Sequence, residues 1–279
     1  MIITTQVHLL LFQFATAIYL ISLVCFLLRQ HRLAGHTLLL GFVVQSVSQI
    51  VRCWRFGFFT LEGAFQIDYF LPWSLAIMLL VHMYRQQKSQ QSGILSALWP
   101  LCISSLLACF FPPSCHAPTP FTPTWTAYLF FIFEALAHAC FILSGWRALE
   151  YLTKRQQKPF FNGYAVWGFV FYSLAQLTGC AWAYLGWGGL FHWGTRHIHS
   201  AALWCFYCSY LHTPFVQGFN QRRRAGFALG GAVLALVLFF ALPLIPKDYG
   251  QTKKLQIEQM NQQSATAQLP DRQNKKEVL

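Results

Sequence analysis

Residues 8–28, HLLLFQFATAIYLISLVCFLL, form a long and predominantly apolar run. It contains no Asp, Glu, Lys or Arg. As an α-helix it is about 31 Å long, which is enough to cross the roughly 30 Å hydrocarbon core of a bilayer. The run is too long for the apolar region of a signal peptide, and no small-residue cleavage site follows it. It therefore predicts a transmembrane helix.

Similar runs recur along the chain and predict an all-α, polytopic membrane helix bundle with about eight transmembrane helices. The predicted runs are 8–28, 37–51, 67–84, 94–111, 125–146, 163–185, 200–215 and 225–245. Only 10% of the 279 residues are charged, against about 25% in soluble domains. We predict a bundle over 1–245 with an outer Trp-rich loop at 186–199, and a polar, disordered tail over 246–279.

The net charge of +12 indicates orientation in a membrane. Lys and Arg concentrate in alternate loops, which the positive-inside rule places in the cytoplasm. That set is Arg29, Arg32, Arg85, Lys88, Arg147, Lys154, Arg155, Lys158, Arg222, Arg223 and Arg224. The loops between them contain Arg52, Arg55 and Arg196. Both termini and the loop 186–199 are then outside, membrane lipid is the expected partner of the bundle, and no nucleic-acid partner is expected.

The segment at residues 179–199, GCAWAYLGWGGLFHWGTRHIH, is rich in Trp, Gly and His. Such a segment at a membrane surface suits a flat aromatic platform for a planar, apolar ligand. Trp187 and Trp193 would supply the platform, and Arg196 would meet a carboxylate. An ordinary aromatic belt at the membrane interface explains the same composition.

The spacing of this segment resembles the tryptophan-rich WWD signature of the cytochrome c assembly family, whose branches are CcsA/ResC-like, CcmC-like and HemX-like. The matching positions are Trp182, Ala183, Trp187, Gly188, Trp193, Trp204, Tyr210, Leu211 and His212. Residues 52–61 and 70–74 resemble a second motif of the family. Together with the helix count, the resemblance covers most of residues 1–250.

The chain departs from the family pattern at several positions. Gly194 stands at the Asp of the signature, His197 at its Glu, and His199 at its next Trp. In the second motif, Phe58 replaces a His and Gln66 replaces a Glu. These departures affect residues that the resemblance would otherwise connect with haem.

The resemblance implies a haem-handling membrane protein of c-type cytochrome biogenesis, which binds or presents haem at the outer face of a bacterial inner membrane. It implies a CcsB/ResB-like membrane partner and apocytochrome c, and a delivery or accessory role rather than independent catalysis. The departures favour the alternative, a HemX-like regulatory or scaffolding protein without haem chemistry. A small-solute transporter fits less well, because the sequence has no inverted repeat.

Two histidines fall inside predicted helices, where an imidazole is costly unless it has a partner. His212 matches the family His that ligates haem within the membrane. His138 is predicted at a similar depth, with Glu134 one turn away. We predict that His138 and His212 face each other, as a bis-imidazole site for haem iron. A structural Glu134–His138 pair is the alternative.

The remaining candidates lie near the outer loop. His192, His197 and His199 would bind haem iron, zinc or copper if the rings converge. The predicted metal ligands are His212, His138, His197 and His199, and the predicted cofactor contacts also include Trp182, Trp187, Trp193 and Arg196. We predict no catalytic residue. Cys205 and Cys208 form a C-x-x-C pair that we interpret as core packing.

Overall fold

A computed structural model of the chain describes residues 7–56, 64–85, 96–110, 124–155, 158–191 and 195–238. Within these ranges the chain is helical and has no strand, which confirms the predicted all-α fold. The helices are α1 (Val7–Leu27), α2 (His31–Phe56), α3 (Ala64–Arg85), α4 (Leu98–Phe110), α5 (Trp125–Leu152), α6 (Phe161–Trp187), α7 (Thr195–His212) and α8 (Gln221–Leu236). A 3-10 turn, Thr213–Phe215, follows α7.

The described residues belong to one compact unit, Met1–Phe240. A second unit, Ala241–Leu279, lies outside the described residues, and so does the tail at 246–279. The predicted domain boundary at residue 245 and the disorder of the tail stay predictions.

Among the described residues, three helices are long and apolar enough to cross a bilayer: α1, α2 as far as Trp54, and α5. Shorter apolar helices occur at Tyr69–Tyr84 and Leu98–Phe110. Large apolar side chains such as Leu10 and Phe14 are more than half exposed on the bundle surface. Hydrocarbon is the solvent that suits such a surface, so the chain is an integral membrane helix bundle. The number of eight spanning helices stays a prediction.

Helix α2 is much longer than the predicted run at 37–51, since it extends from His31 to Phe56. The prediction stopped before the charged residue Arg52. In the structure, Gln45, Gln49 and Arg52 are buried and lie on one face of α2 at helical spacing. Polar side chains on a packed face do not end a helix, because the backbone hydrogen bonds continue past them.

The predicted outer loop at 186–199 is wrong in length. Helix α6 continues to Trp187 and ends at Gly188, which has a φ of 71° and donates its N–H to the carbonyl of Tyr184. Glycine adopts this left-handed conformation at little cost, which makes it a common residue just after a helix. Helix α7 begins at Thr195, so the connection comprises residues 188–194.

Contacts between α5, α6 and α7 give the directions of these helices. Along α5, Phe130 contacts Trp182 and Phe141 contacts Tyr172, so α5 and α6 are antiparallel. Along α7, Trp204 donates a hydrogen bond to Ser173 and Tyr210 donates one to Asn162. Helices α6 and α7 are therefore antiparallel too, and α5 runs parallel to α7.

Candidate functional site

An aromatic layer joins α3, α5 and α6. It consists of Phe70 and Trp73 from α3, Phe130 and Phe131 from α5, and Trp182 from α6. The Trp182 ring lies 6.0 Å from the ring of Phe130 and 5.8 Å from that of Phe131. Trp182, a predicted cofactor contact, is half-buried and packs in this layer.

The layer forms because α5 and α6 approach each other closely. A Cβ added at Gly179 would lie 2.9 Å from the ring of Phe130. Glycine at this position therefore allows the two helix backbones to come together, as small residues do in membrane bundles. Ala135 and Ala175 are buried in the same cluster and keep its centre compact.

His138 lies about two turns along α5 from Phe130. Its side chain is 5% exposed. Nδ1 is 2.8 Å from the backbone carbonyl oxygen of Glu134. A carbonyl only accepts hydrogen bonds, so Nδ1 carries the proton, and Nε2 is the acceptor atom of the neutral ring. The rings of Phe141 and Tyr172 contact the imidazole edge-on, at 6.3 and 5.9 Å.

His212 is the last residue of α7 and its side chain is exposed. Its Nδ1 is 2.8 Å from the carbonyl oxygen of Cys208, which gives this ring the same tautomer as His138. The two histidines therefore share their local geometry and differ in their surroundings.

The structure does not bring His138 and His212 together. The Phe141 ring stacks on the Tyr207 ring at 3.6 Å and marks one level on the parallel helices α5 and α7. His138 precedes Phe141 by three residues and His212 follows Tyr207 by five, which separates their backbones by about 12 Å along the axis. The prediction of equal depth is wrong, in part because it started this helix at residue 200, whereas α7 begins at Thr195.

The outer candidates also differ from the prediction. His197 and His199 both lie in the first turns of α7, half-buried, and His197 contacts Phe191 at 5.4 Å. Residues two apart on a helix point to different sides, so these two rings do not converge on one metal. Within the described ranges, no group of three or more His, Cys, Asp or Glu side chains has metal-site geometry.

Several predicted residues cannot be placed with their side chains. Trp187 ends α6 and Arg196 lies in the first turn of α7, but their side chains are outside the described part of the structure. His192 and Trp193 lie outside it entirely. Their roles stay predictions.

A polar group beside the aromatic layer joins α1, α2 and α3. We call it the Arg52 cluster, and it consists of Tyr19, Gln45, Gln49, Arg52 and Tyr69. The guanidinium of Arg52 lies 5.1 Å from the centre of the Tyr69 ring. The side-chain amides of Gln45 and Gln49 donate to the Tyr69 carbonyl oxygen at 2.9 and 3.3 Å. Tyr19 donates to Oε1 of Gln45 at 2.7 Å. None of these residues is a predicted site residue, although their spacing of four and three is a signal of a polar helix face.

Comparison with known proteins gives partial matches. No family model matches the chain. It is 32% identical over 78 residues to the cytochrome c biogenesis protein CcsA of Prochlorococcus marinus (strain MIT 9303), which covers 28% of this chain and 24% of that protein. The CcsA of strain MIT 9515 is 33% identical over 75 residues, covering 27% and 24%. The CcsA of Synechococcus sp. (strain CC9605) is 30% identical over 78 residues, covering 28% and 26%. The chain thus spans about a quarter of the length of these curated relatives, and over that part it is similar to a family of cytochrome c biogenesis proteins.

Proposed function

We propose that this chain acts in c-type cytochrome biogenesis and holds haem within the bundle, with His138 as an axial ligand. The hydrogen bond from Nδ1 of His138 to the Glu134 carbonyl carries the proposal. Such a bond orients the ring of a metal-ligating histidine and makes Nε2 the ligand atom. The similarity to CcsA proteins supports the role in c-type cytochrome biogenesis.

In this proposal, His138 supplies one axial imidazole to the haem. A neutral imidazole is a suitable ligand for haem iron. The aromatic layer offers apolar ring faces of the kind that pack against a porphyrin. The Arg52 cluster lies next to this layer and would place a cation near a haem propionate. Haem, when bound, supplies the iron porphyrin that c-type cytochromes carry.

His212 would serve a separate step. Its side chain is exposed on the surface of the bundle, where a partner membrane helix has access to it. We assign to it a ligand role at the boundary with a CcsB/ResB-like partner. Trp187, Trp193, Arg196, His197 and His199 would present haem to apocytochrome c at the end of the bundle where α6 meets α7.

This proposal requires the connection at 188–194 to lie outside a bacterial inner membrane, as the positive-inside rule predicts. Alkaline phosphatase fused after Gly189 is expected to be active, since it folds only outside the cytoplasm. The same enzyme fused after Gly218, in the connection between α7 and α8, is expected to be inactive. The reverse pattern would contradict the proposed orientation.

An absorption spectrum tests the haem site directly. The full-length protein, purified in detergent from cells supplied with haem, is expected to show a Soret band. His138→Ala should remove most of that band, whereas His212→Ala should change its intensity by less than about a factor of two. A thermal unfolding curve of each variant controls for folding. An unchanged Soret band in folded His138→Ala would overturn the role of His138.

A scaffolding role is the second candidate, and the close packing of α5 against α6 favours it. A Cβ at Gly168 would lie 2.6 Å from the ring of Phe141, so the seam beside His138 is tightly filled. A wild-type protein without a Soret band, together with lost cytochrome c maturation in a deletion strain, would establish this candidate in place of haem binding.

A further inference from the structure

The end of the bundle where α7 turns into α8 combines exposed apolar and exposed basic side chains. The turn Thr213–Phe215 leads directly out of α7. Phe215 is 84% exposed and Val216 is 54% exposed. Seven residues after Phe215, the run Arg222, Arg223 and Arg224 occupies the first turn of α8. An apolar tip beside a basic run is the arrangement expected where a protein surface meets a lipid headgroup region.

Two of these arginines are held in place by the connection between α7 and α8 and by the end of α7. Nε of Arg224 donates to the hydroxyl of Thr213 at 3.2 Å, and its guanidinium lies 5.8 Å from the centre of the Tyr210 ring. Nη1 of Arg223 donates to the carbonyl of Gly218 at 2.9 Å. A guanidinium has five N–H donors, so each side chain is oriented by these contacts and keeps donors for an anion.

The surrounding sequence supplies no counter-ion. Residues 151–247 contain eight Lys and Arg and not one Asp or Glu. Of the acidic side chains in the described ranges, Glu134 is buried in α5, and Glu150 is paired with Arg147 at 2.9 Å. Three adjacent cations repel each other, and the start of a helix disfavours positive charge. An anion from outside α6, α7 and α8 would relieve this repulsion.

We propose that Arg222, Arg223 and Arg224 form a binding site for the phosphate of an anionic phospholipid, with Phe215 and Val216 inserted beside its acyl chains. Arginine binds phosphate oxygens through two parallel N–H donors, which suits a headgroup phosphodiester. Basic residues at a membrane surface attract anionic lipid in just this way. The bilayer around the bundle supplies this ligand at high local concentration. The proposal is independent of haem binding.

Lipid titration of the full-length protein in a non-ionic detergent tests the site. Native mass spectrometry would count bound phosphatidylglycerol, with phosphatidylcholine as the neutral lipid. Arg222→Gln/Arg223→Gln should bind phosphatidylglycerol about 30-fold more weakly, equivalent to about 2 kcal/mol for two cations. Lys154→Gln/Arg155→Gln is the matched control, because it removes two adjacent exposed cations at the connection between α5 and α6. Its affinity should stay within about threefold of the wild type.

The outcomes separate the lipid from other anions. Equal affinity in the wild type and Arg222→Gln/Arg223→Gln, or an equal loss in the control, would overturn the proposal. Stabilisation of the wild type by inorganic phosphate as large as that by phosphatidylglycerol would assign the site to free phosphate instead. A variant in which the tail acids Asp248, Glu258, Asp271 and Glu277 are neutralised should bind phosphatidylglycerol with unchanged affinity. A rise in that affinity above about tenfold would assign the site to the tail in place of lipid. If the glutamine variant does not fold, Phe215→Ser in the background of Arg222→Lys/Arg223→Lys tests the proposal. This variant keeps the positive charges and removes the apolar contact. Its affinity for phosphatidylglycerol must therefore be weaker than that of Arg222→Lys/Arg223→Lys alone.

Discussion

Helices α5 and α6 differ from α7 in how closely they are packed, and the two histidines show what that difference does. In both His138 and His212, Nδ1 bonds the carbonyl four residues earlier, at 2.8 Å. His138 is nevertheless buried among aromatic rings, whereas His212 is exposed. The local backbone therefore fixes the tautomer of a helical histidine, and the neighbouring helices decide whether the ring has an enclosed site.

Small residues explain the difference in packing. Gly168 and Gly179 lie where the rings of Phe141 and Phe130 press against α6. On α7, small residues at a spacing of four instead lie on an exposed face, which includes Ala201, Cys205 and Ser209. Cys205, predicted as core packing, is therefore exposed, because it lies on this open face of α7. Cys208 is half-buried.

The largest expected effect comes from filling the seam between α5 and α6. Gly168→Leu would place a side chain against Phe141, whose ring cannot move away because it stacks on Tyr207 at 3.6 Å. We expect a loss of about 3 kcal/mol in the free energy of unfolding, measured by SDS titration of the protein in mixed micelles.

Gly163→Ala is the control for this substitution, since an added Cβ there has no neighbour within 4 Å. It should change the free energy of unfolding by less than about 0.5 kcal/mol or increase it slightly. Similar losses in both variants would mean that close packing does not distinguish this seam from the rest of α6.

A smaller effect is expected from the histidines themselves. His138→Ala removes a buried ring and its hydrogen bond, and we expect a loss of about 2 kcal/mol in the absence of haem. His212→Ala should cost less than about 0.5 kcal/mol, because its ring is exposed. The same SDS titration on apoprotein measures both. Equal losses would contradict the view that the environment, rather than the shared local bond, sets the contribution.

Much of the fold is predictable from apolar runs, and the site is less so. The apolar spacing that gives α1, α3 and α5 is local. The predicted ends of α1 and α3 lie within three residues of the helix ends, and α5 starts as predicted but extends six residues further. The predicted depth of His212 depended on where α7 starts. That start was predicted wrongly because no apolar residue marks Thr195 as the beginning of a helix. The polar face that includes Arg52 interrupted an apolar run in the sequence, although it is a packed face in the fold.

The smallest expected effect concerns single hydrogen bonds between helices. Ser144 of α5 donates to the Phe161 carbonyl at 2.9 Å, in a buried position. Trp204 of α7 donates to Ser173 at 3.1 Å, in an exposed position. Ser144→Ala should cost about 0.6 kcal/mol, a typical value for such bonds in membrane proteins, and Trp204→Phe about half as much. Double-mutant cycles with neighbouring residues would measure the free-energy contribution of each hydrogen bond. A larger contribution from the bond of Trp204 than from that of Ser144 would reverse the ranking of the two regions.

The buried polar face of α2 has a consequence for how the protein is made. Gln45, Gln49 and Arg52 find their partners in α1 and α3, so this face is uncovered when α2 leaves the ribosome. An arginine at the centre of a transmembrane helix costs about 2.5 to 3.5 kcal/mol when a lone helix partitions from the translocon. Arg52 lies four residues before the end of α2 and costs less, but its cost adds to that of the buried Gln45 and Gln49. We expect α2 to wait beside the translocon until α3 has been synthesised, so that α1, α2 and α3 enter the lipid as one unit during translation.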